Sequence, residues 1–378
     1  MKILVLAPYF APYGGVGSAR MNSLTEYLAE RHQVTVLSFD TAYYDRTTCT
    51  ANVPCGVIIE RVKNISKKRL FSLKYRKKVL ELLANQQFDV CICTVGPYDA
   101  MYYIKAIRKY HVKVIIDYRD NWVYNFFKLN FKRIIANRLY SCIETRAFKY
   151  ADAIVCVSDG QRDLIRKYYR LPEEKVITVK NGFDEKLLNT LDKSNNIGSK
   201  KFVATISGKC AYYDETAAYE LLLAAKHLNE EGFSIEINHL GPVEHQMLEY
   251  CKKLSISDNL YHATGHVSYV DNVKRMMESD MLILPYSSVV GLGTKVFDYI
   301  FADKPILVIQ KGKSELKEFV NQFEAGYAVE PNHIDIERAF IYVKENKIKT
   351  LGAKNKMEYS RLNQNTQYDI FLSKLVRG

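Results

Sequence analysis

Residues 279–305, SDMLILPYSSVVGLGTKVFDYIFADKP, constrain the fold of this chain more than any other stretch. The apolar run 281–284 reads as a buried strand, and Pro285 ends it because proline cannot donate to a sheet ladder. A Ser- and Gly-rich loop follows at 287–293. Residues 294–301 then read as a short helix with Thr294 near its N-cap position, and 306–309 as the next buried strand. A strand, a glycine turn and a helix start form a ready anion site, because unpaired N–H groups and the helix dipole point out of it. Asp298 lies one turn into that helix, where a carboxylate can accept hydrogen bonds from a hydroxyl pair such as a ribose. The residues alone leave two readings open: a loop that holds a nucleotide by its diphosphate and sugar, or an ordinary βαβ turn.

The rest of the chain repeats the same grammar. Residues 2–7 are a strand that runs into a loop holding Gly14, Gly15 and Gly17, followed by a helix to residue 31 and a strand at 34–38. This is the opening of a doubly wound α/β domain. Arg20 falls on the first or second turn of the helix, directed at the ligand end of the sheet or at solvent. Strands at 88–95 and 112–117 follow, the second entering Asp117, Tyr118, Arg119, Asp120, Asn121 and Trp122, the only tryptophan. Charged groups at the C-terminal end of a buried strand sit where open α/β sheets bind ligands. An ion pair of Arg119 with Asp117 or Asp120 is the structural alternative. A strand at 153–158, a helix at 160–169 and a strand ending in Asn181 and Gly182 close this half, and 187–200 read as a polar linker. The second half starts at strand 202–206, which enters Ser207, Gly208 and Lys209. Helix 215–230, strand 234–240, a strand leading to Gly265 and His266, and helix 269–278 precede the organising loop, and 335–346 and 358–376 read as helices.

A chain of 378 residues has room for two domains, each with its own core. No run approaches eighteen apolar residues, and the N-terminus reads as a first strand, not a leader. The eight cysteines include no C-x-x-C pair, which suits a reducing compartment. Residues 1–185 carry 30 Lys+Arg against 18 Asp+Glu, a difference of +12, while the remaining 24 and 24 cancel. A one-sided basic half points to a polyanionic partner. Two segments, 63–78 and 126–138, interleave basic with apolar and aromatic residues, as an interfacial helix on anionic lipid does; the bland reading is a solvated helix face. No nucleic-acid recognition motif accompanies them. There is no D-x-D, no His/Cys/Asp cluster at metal spacing, no Walker lysine loop and no G-x-G-x-x-G.

Taken together, the segments resemble the family-4 retaining glycosyltransferases of GT-B fold, of the bacterial cell-surface polysaccharide type. Asp298 matches the second of two acids eight apart in the family's donor loop, the ribose ligand; Val290 stands where the first acid usually contacts the sugar. Arg119, Asp120 and Trp122 are similar to an Arg-Asp-x-Trp signature, and Asn181, Gly182 and Asp184 to an Asn-Gly-hydrophobic-Asp segment before the linker. Gly208 and Lys209 match a Gly-Arg pair that reaches the donor diphosphate, whereas Asp214 replaces a second cation. The resemblance implies an α/β protein of two Rossmann-like doubly wound domains facing each other across a cleft. Residues 1–185 would bind the acceptor, 186–357 the nucleotide-sugar, and 358–378 would pack back on the first domain. It implies sugar transfer from a nucleotide-diphosphate sugar, a UDP-sugar by preference, to a glycan or polyprenyl-diphosphate-linked acceptor at the cytoplasmic face of the plasma membrane. Asp120, Lys209 and Lys295 are the catalytic candidates. Gly15, Gly208, Lys209, Gly265, His266, Gly293, Thr294, Lys295 and Asp298 are the donor-side candidates, and Gly14, Arg20, Arg119 and Trp122 those of the acceptor side. No metal or other cofactor and no nucleic acid is expected. The alternatives are a nucleotide-sugar epimerase of the same fold and a catalytically inactive nucleotide- or glycan-binding subunit.

Overall fold

The computed structural model describes residues 1–44, 51–63, 73–96, 98–122, 131–186, 191 and 201–377. The chain divides into two compact units, Met1–Asn181 with Arg361–Gly378, and Gly182–Ser360.

The first unit is built on a seven-stranded parallel sheet of β1 (Lys2–Leu6), β2 (Gln33–Phe39), β3 (Val57–Val62), β4 (Val90–Val95), β5 (Lys113–Tyr118), β6 (Ala153–Cys156) and β7 (Val176–Thr178). Their order is β3-β2-β1-β4-β5-β6-β7. Every residue of β4 is buried, as expected of a parallel strand covered on both faces. The covering helices are α1 (Val16–Ala29), α2 (Leu73–Asn85), the short α3 (Ile104–Ile107), α4 (Phe131–Tyr150) and α5 (Asp159–Tyr169).

The second unit repeats the plan with β8 (Phe202–Ser207), β9 (Ile235–Leu240), β10 (Tyr261–Gly265), β11 (Met281–Pro285), β12 (Ile306–Ile309) and β13 (Gly326–Val329), ordered β10-β9-β8-β11-β12-β13 and all parallel. Its helices are α6 (Glu215–Glu230), α7 (His245–Leu254), α8 (Tyr269–Glu278), α9 (Lys295–Ala302), α10 (Glu315–Val320) and α11 (His333–Glu345). The last helix, α12 (Arg361–Arg377), belongs to the first unit and packs on α1. There Asp369 accepts from Arg31 at 3.0 Å and bonds His32 at 2.9 Å, while Tyr368 and Leu372 enter the core beside Ile3 and Leu24.

In each unit the strand order reverses once, between β1 and β4 and between β8 and β11. Loops leaving the carboxyl ends of those strands diverge and leave a crevice, which is where such sheets hold ligands.

Segment 63–78 is described only in part. Residues 64–72 lie outside the described residues, and 73–78 open α2, where Tyr75, Val79, Leu82 and Leu83 are buried. Tyr75 donates to the Leu37 carbonyl at 2.7 Å, so its ring serves the core and not an interfacial face. In segment 126–138, residues 126–130 and the side chains of 131–138 are likewise outside the description. Among the described residues no helix is long and apolar enough to cross a membrane.

Candidate functional site

The loops after β8 and β11 meet at the reversal point of the second sheet. Gly208 follows β8 with φ +80°, a conformation open to glycine and strained for other residues. The Lys295 ammonium, from the first residue of α9, lies where a side chain at 208 would be. Gly241 after β9 is equally constrained, since a Cβ there would stand 2.7 Å from the Gly208 Cα. The Gly208 N–H donates to the Leu240 carbonyl at 2.5 Å. Its own carbonyl is held by His239 Nε2 at 2.5 Å. A carbonyl can only accept, so Nε2 carries the proton, and burial, which lowers the His239 pKa, keeps the ring neutral. Nδ1 then accepts from the Tyr261 hydroxyl at 2.6 Å. The next turn is fixed by Glu244, whose carboxylate accepts the N–H groups of Cys210, Ala211 and Tyr212 at 2.5, 3.2 and 2.8 Å.

The loop after β11 turns through left-handed Gly291 (φ +103°) and Gly293 (φ +69°). It is supported from beneath: Gln310 donates to the Ser288 carbonyl at 2.7 Å, and Glu315 accepts the Gly291 N–H at 2.7 Å. Helix α9 is locked to the sheet by Tyr299, whose hydroxyl receives the Ser207 N–H and donates to the Ile283 carbonyl, both at 2.9 Å. That register puts Lys295 and Asp298 on one face, one turn apart.

Thr294 takes the helix-start position expected of it, without making the capping bond. It is the N-cap residue, but its backbone is already helical (φ −98°, ψ −29°) and its side chain makes no capping bond. A cap needs extended backbone to aim its oxygen at the following N–H groups. The helix start therefore has no side-chain oxygen over it, which suits an external anion.

Charge is concentrated here. The Lys295 pKa is lowered to about 8, first by burial and further by Lys209, against the pull of Cys210, Glu244 and Asp298. Its ammonium stands 5.0 Å from the Tyr213 ring, and that of the exposed Lys209 stands 4.0 Å from the Tyr212 ring. Asp298 Oδ1 accepts from the Tyr269 hydroxyl at 2.6 Å. Gly265 (φ +73°) lends its carbonyl to the Gly241 N–H at 3.0 Å, and His266 beside it is exposed. Gly208, Lys209, Gly293, Thr294, Lys295 and Asp298 thus surround one reversal point. His239, Gly241, Glu244 and Tyr269, which support that group, were missed. Of these, the His-Leu-Gly-Pro turn at 239–242 carried the visible signal.

In the first unit, Gly14 is exposed, and Gly15 precedes α1 with extended backbone, pressed by the Tyr13 ring at 2.5 Å from any added Cβ. Arg20 points neither to solvent nor to an open ligand site. It pairs with fully buried Asp117 at 3.1 Å and donates to the Lys180 carbonyl at 2.9 Å. The structural alternative of an Arg119–Asp117 ion pair is thereby replaced. The Arg119 guanidinium instead donates to the carbonyls of Gly17 and, at 2.9 Å, Gly96, bridging the first turn of α1 and the loop after β4. Asp120 is exposed as a residue, yet protein atoms crowd its carboxylate, raising its pKa against the opposing pull of Arg119. Trp122 is buried in a stack between Tyr98 (4.9 Å) and Tyr140 (4.6 Å). It packs the interior, and a sugar would not reach its faces.

Residues 13–187 match the sequence model described as Glycosyltransferase Family 4. The whole chain has the GT-B fold of two parallel-sheet α/β domains. The chain superposes on HepE from Anabaena in complex with UDP, 14% identical, over 99% of this chain and 100% of that one, with TM-score 0.70. It is similar to a glycosyltransferase from Rickettsia africae, 15% identical over 100% and 99% of the two chains, with TM-score 0.65. It shares the fold equally with a putative UDP-N-acetylglucosamine 2-epimerase from Listeria monocytogenes, 10% identical over 99% and 96%, with TM-score 0.64. No curated protein matches the sequence.

Proposed function

We propose that the protein is a retaining glycosyltransferase that moves a sugar from a nucleotide-diphosphate sugar, UDP-linked by preference, to a glycan or lipid-linked acceptor. The observation that carries this reading is Lys295 seated against Gly208 at an uncapped helix start, with Asp298 one turn further on. A half-buried ammonium whose pKa has fallen to about 8 gains most from an arriving diphosphate. The UDP in the HepE structure supports the nucleotide class.

In the proposed reaction the bond between the sugar's anomeric carbon and the diphosphate oxygen breaks, and a bond to the acceptor hydroxyl oxygen forms. Lys295, Lys209 and the N–H groups of Gly293 and Thr294 offset the charge that develops on the leaving diphosphate. This arrangement supports transfer without a metal ion. Asp120 orients the acceptor hydroxyl or takes its proton. Asp298 holds the ribose. The basic excess of residues 1–185 is proposed to hold the enzyme against the anionic cytoplasmic face of a membrane.

A thermal-shift screen against the diphosphates of uridine, guanosine, thymidine and adenosine tests the donor site. Ligand at about 100 times Kd adds about 2.7 kcal/mol. One hit, lost in Asp298→Ala, is expected; no shift with any of the four sinks the donor assignment. A product formed from the nucleotide-sugar without acceptor would favour the epimerase reading that the Listeria likeness keeps in view. Nucleotide binding with neither product would favour an inactive subunit.

A further inference from the structure

Helices α6 and α11 of the second unit pack together and bring His227, His333 and Glu337 into one cluster. We propose that these three side chains form a binding site for a divalent transition metal ion of the zinc class, separate from the nucleotide-sugar residues. One ligand atom from each lies within 4.8 Å of the others. Ligand atoms on one tetrahedral zinc stand about 3.3 Å apart for bonds of about 2.0–2.1 Å, so rotamer adjustments of about an ångström close the set.

Three features favour a metal over a chance contact. First, the donors are of the right type: two imidazoles and one carboxylate, the set that leaves a fourth position for water. His227 Nδ1 is 3.1 Å from Glu337 Oε1, and the two imidazole rings are 5.1 Å apart, edge to face. Second, His333 and Glu337 are four residues apart on α11 and so share one helix face towards α6. Third, His333 is oriented from behind. Glu220 accepts both its Nδ1–H at 2.8 Å and its backbone N–H at 2.9 Å, which leaves the Nε2 lone pair of a neutral ring for an ion. A carboxylate behind a ligating histidine fixes its tautomer and strengthens it as a ligand. The four side chains are 20–40% exposed, so an ion has access.

The test uses the full chain, stripped with chelator and dialysed against Zn2+, with metal content measured after free ion is removed. Wild type is expected to keep one zinc per chain and to melt at higher temperature with it. His227→Ala and the milder His333→Gln and Glu337→Gln are expected to lose the bound zinc at least tenfold, while each still folds and still answers UDP in the thermal-shift screen. Stoichiometric zinc that survives in His227→Ala, held for instance by the exposed thiols of Cys55 and Cys142, overturns the proposal. So does a wild-type chain that retains no zinc.

Discussion

The ammonium of Lys295 occupies the space beside Gly208 that a side chain at that position would fill. Two loops 87 residues apart are thereby coupled: the cation can sit there only because residue 208 is glycine, and the left-handed turn at 208 is open to glycine.

Gly208→Ala tests that coupling against a matched control. Gly208 and Gly232 both adopt positive φ (+80° and +84°), but a Cβ at 232 meets nothing within 4 Å. Both alanine variants are expected to lose about 1 kcal/mol of stability through backbone strain. Only Gly208→Ala, by displacing Lys295, is expected to weaken UDP at least tenfold by calorimetry. Equal UDP affinity in the two variants would dissociate Lys295 from the nucleotide.

Lys295 also sets a pH signature. Diphosphate binding raises its pKa from about 8, so the affinity it confers is complete below pH 8 and is lost as pH rises towards the bound-state value. UDP is expected to bind about tenfold more weakly at pH 9 than at pH 7, a trend absent from Lys295→Met. For stability the sign is opposite. The unfolded lysine holds its proton up to 10.5 and the folded one only to about 8, so this residue costs stability below pH 8 and the cost fades between 8 and 10.5. Lys295→Met is therefore expected to melt higher than wild type at pH 7, by about 1–3 kcal/mol. A lower melting temperature would show that the lysine stabilises the fold.

Asp298 accepts the Tyr269 hydroxyl at 2.6 Å. If its carboxylate holds the ribose, wild type prefers UDP over 2′-deoxy-UDP or over the 3′-deoxy analogue. Asp298→Ala is expected to abolish that preference and raise the donor KM at least tenfold with kcat little changed. Tyr269→Phe should keep the preference, because it removes a neighbour and not the acceptor. Retained discrimination in Asp298→Ala would move the ribose elsewhere.

Asp117 and Asp120 lie three residues apart, and the structure gives them opposite expectations. Asp117→Asn weakens the fully buried partner of Arg20 and is expected to cost about 3–5 kcal/mol in urea unfolding. Asp120→Asn sits at the surface and is expected to change stability by no more than about 0.5 kcal/mol, while lowering kcat about 100-fold or more if it serves the acceptor hydroxyl. Wild-type kcat in Asp120→Asn would remove it from the chemistry.

Local pattern determined much of this protein. The apolar runs of β1, β4, β8, β11 and β12 and the glycine turns after β8 and β11 were legible because buried parallel strands and positive-φ positions impose composition directly. Helices α6 and α8 fall on the bounds expected from their periodicity, whereas β3, β13 and the short α10 went unread, being half-exposed or too brief for a period to emerge. Lys295 and Asp298 were visible because one helix turn relates them. The partner of Arg20 was not, since 97 residues separate it from Asp117 and only the sheet order places β5 near α1. The same holds for His239 beneath Gly208, for the Tyr98–Trp122–Tyr140 stack, and for His227 with His333 and Glu337. Spacing along a chain reports contacts made within one element; contacts between elements depend on sheet order and helix packing, and these were decided only when the chain folded.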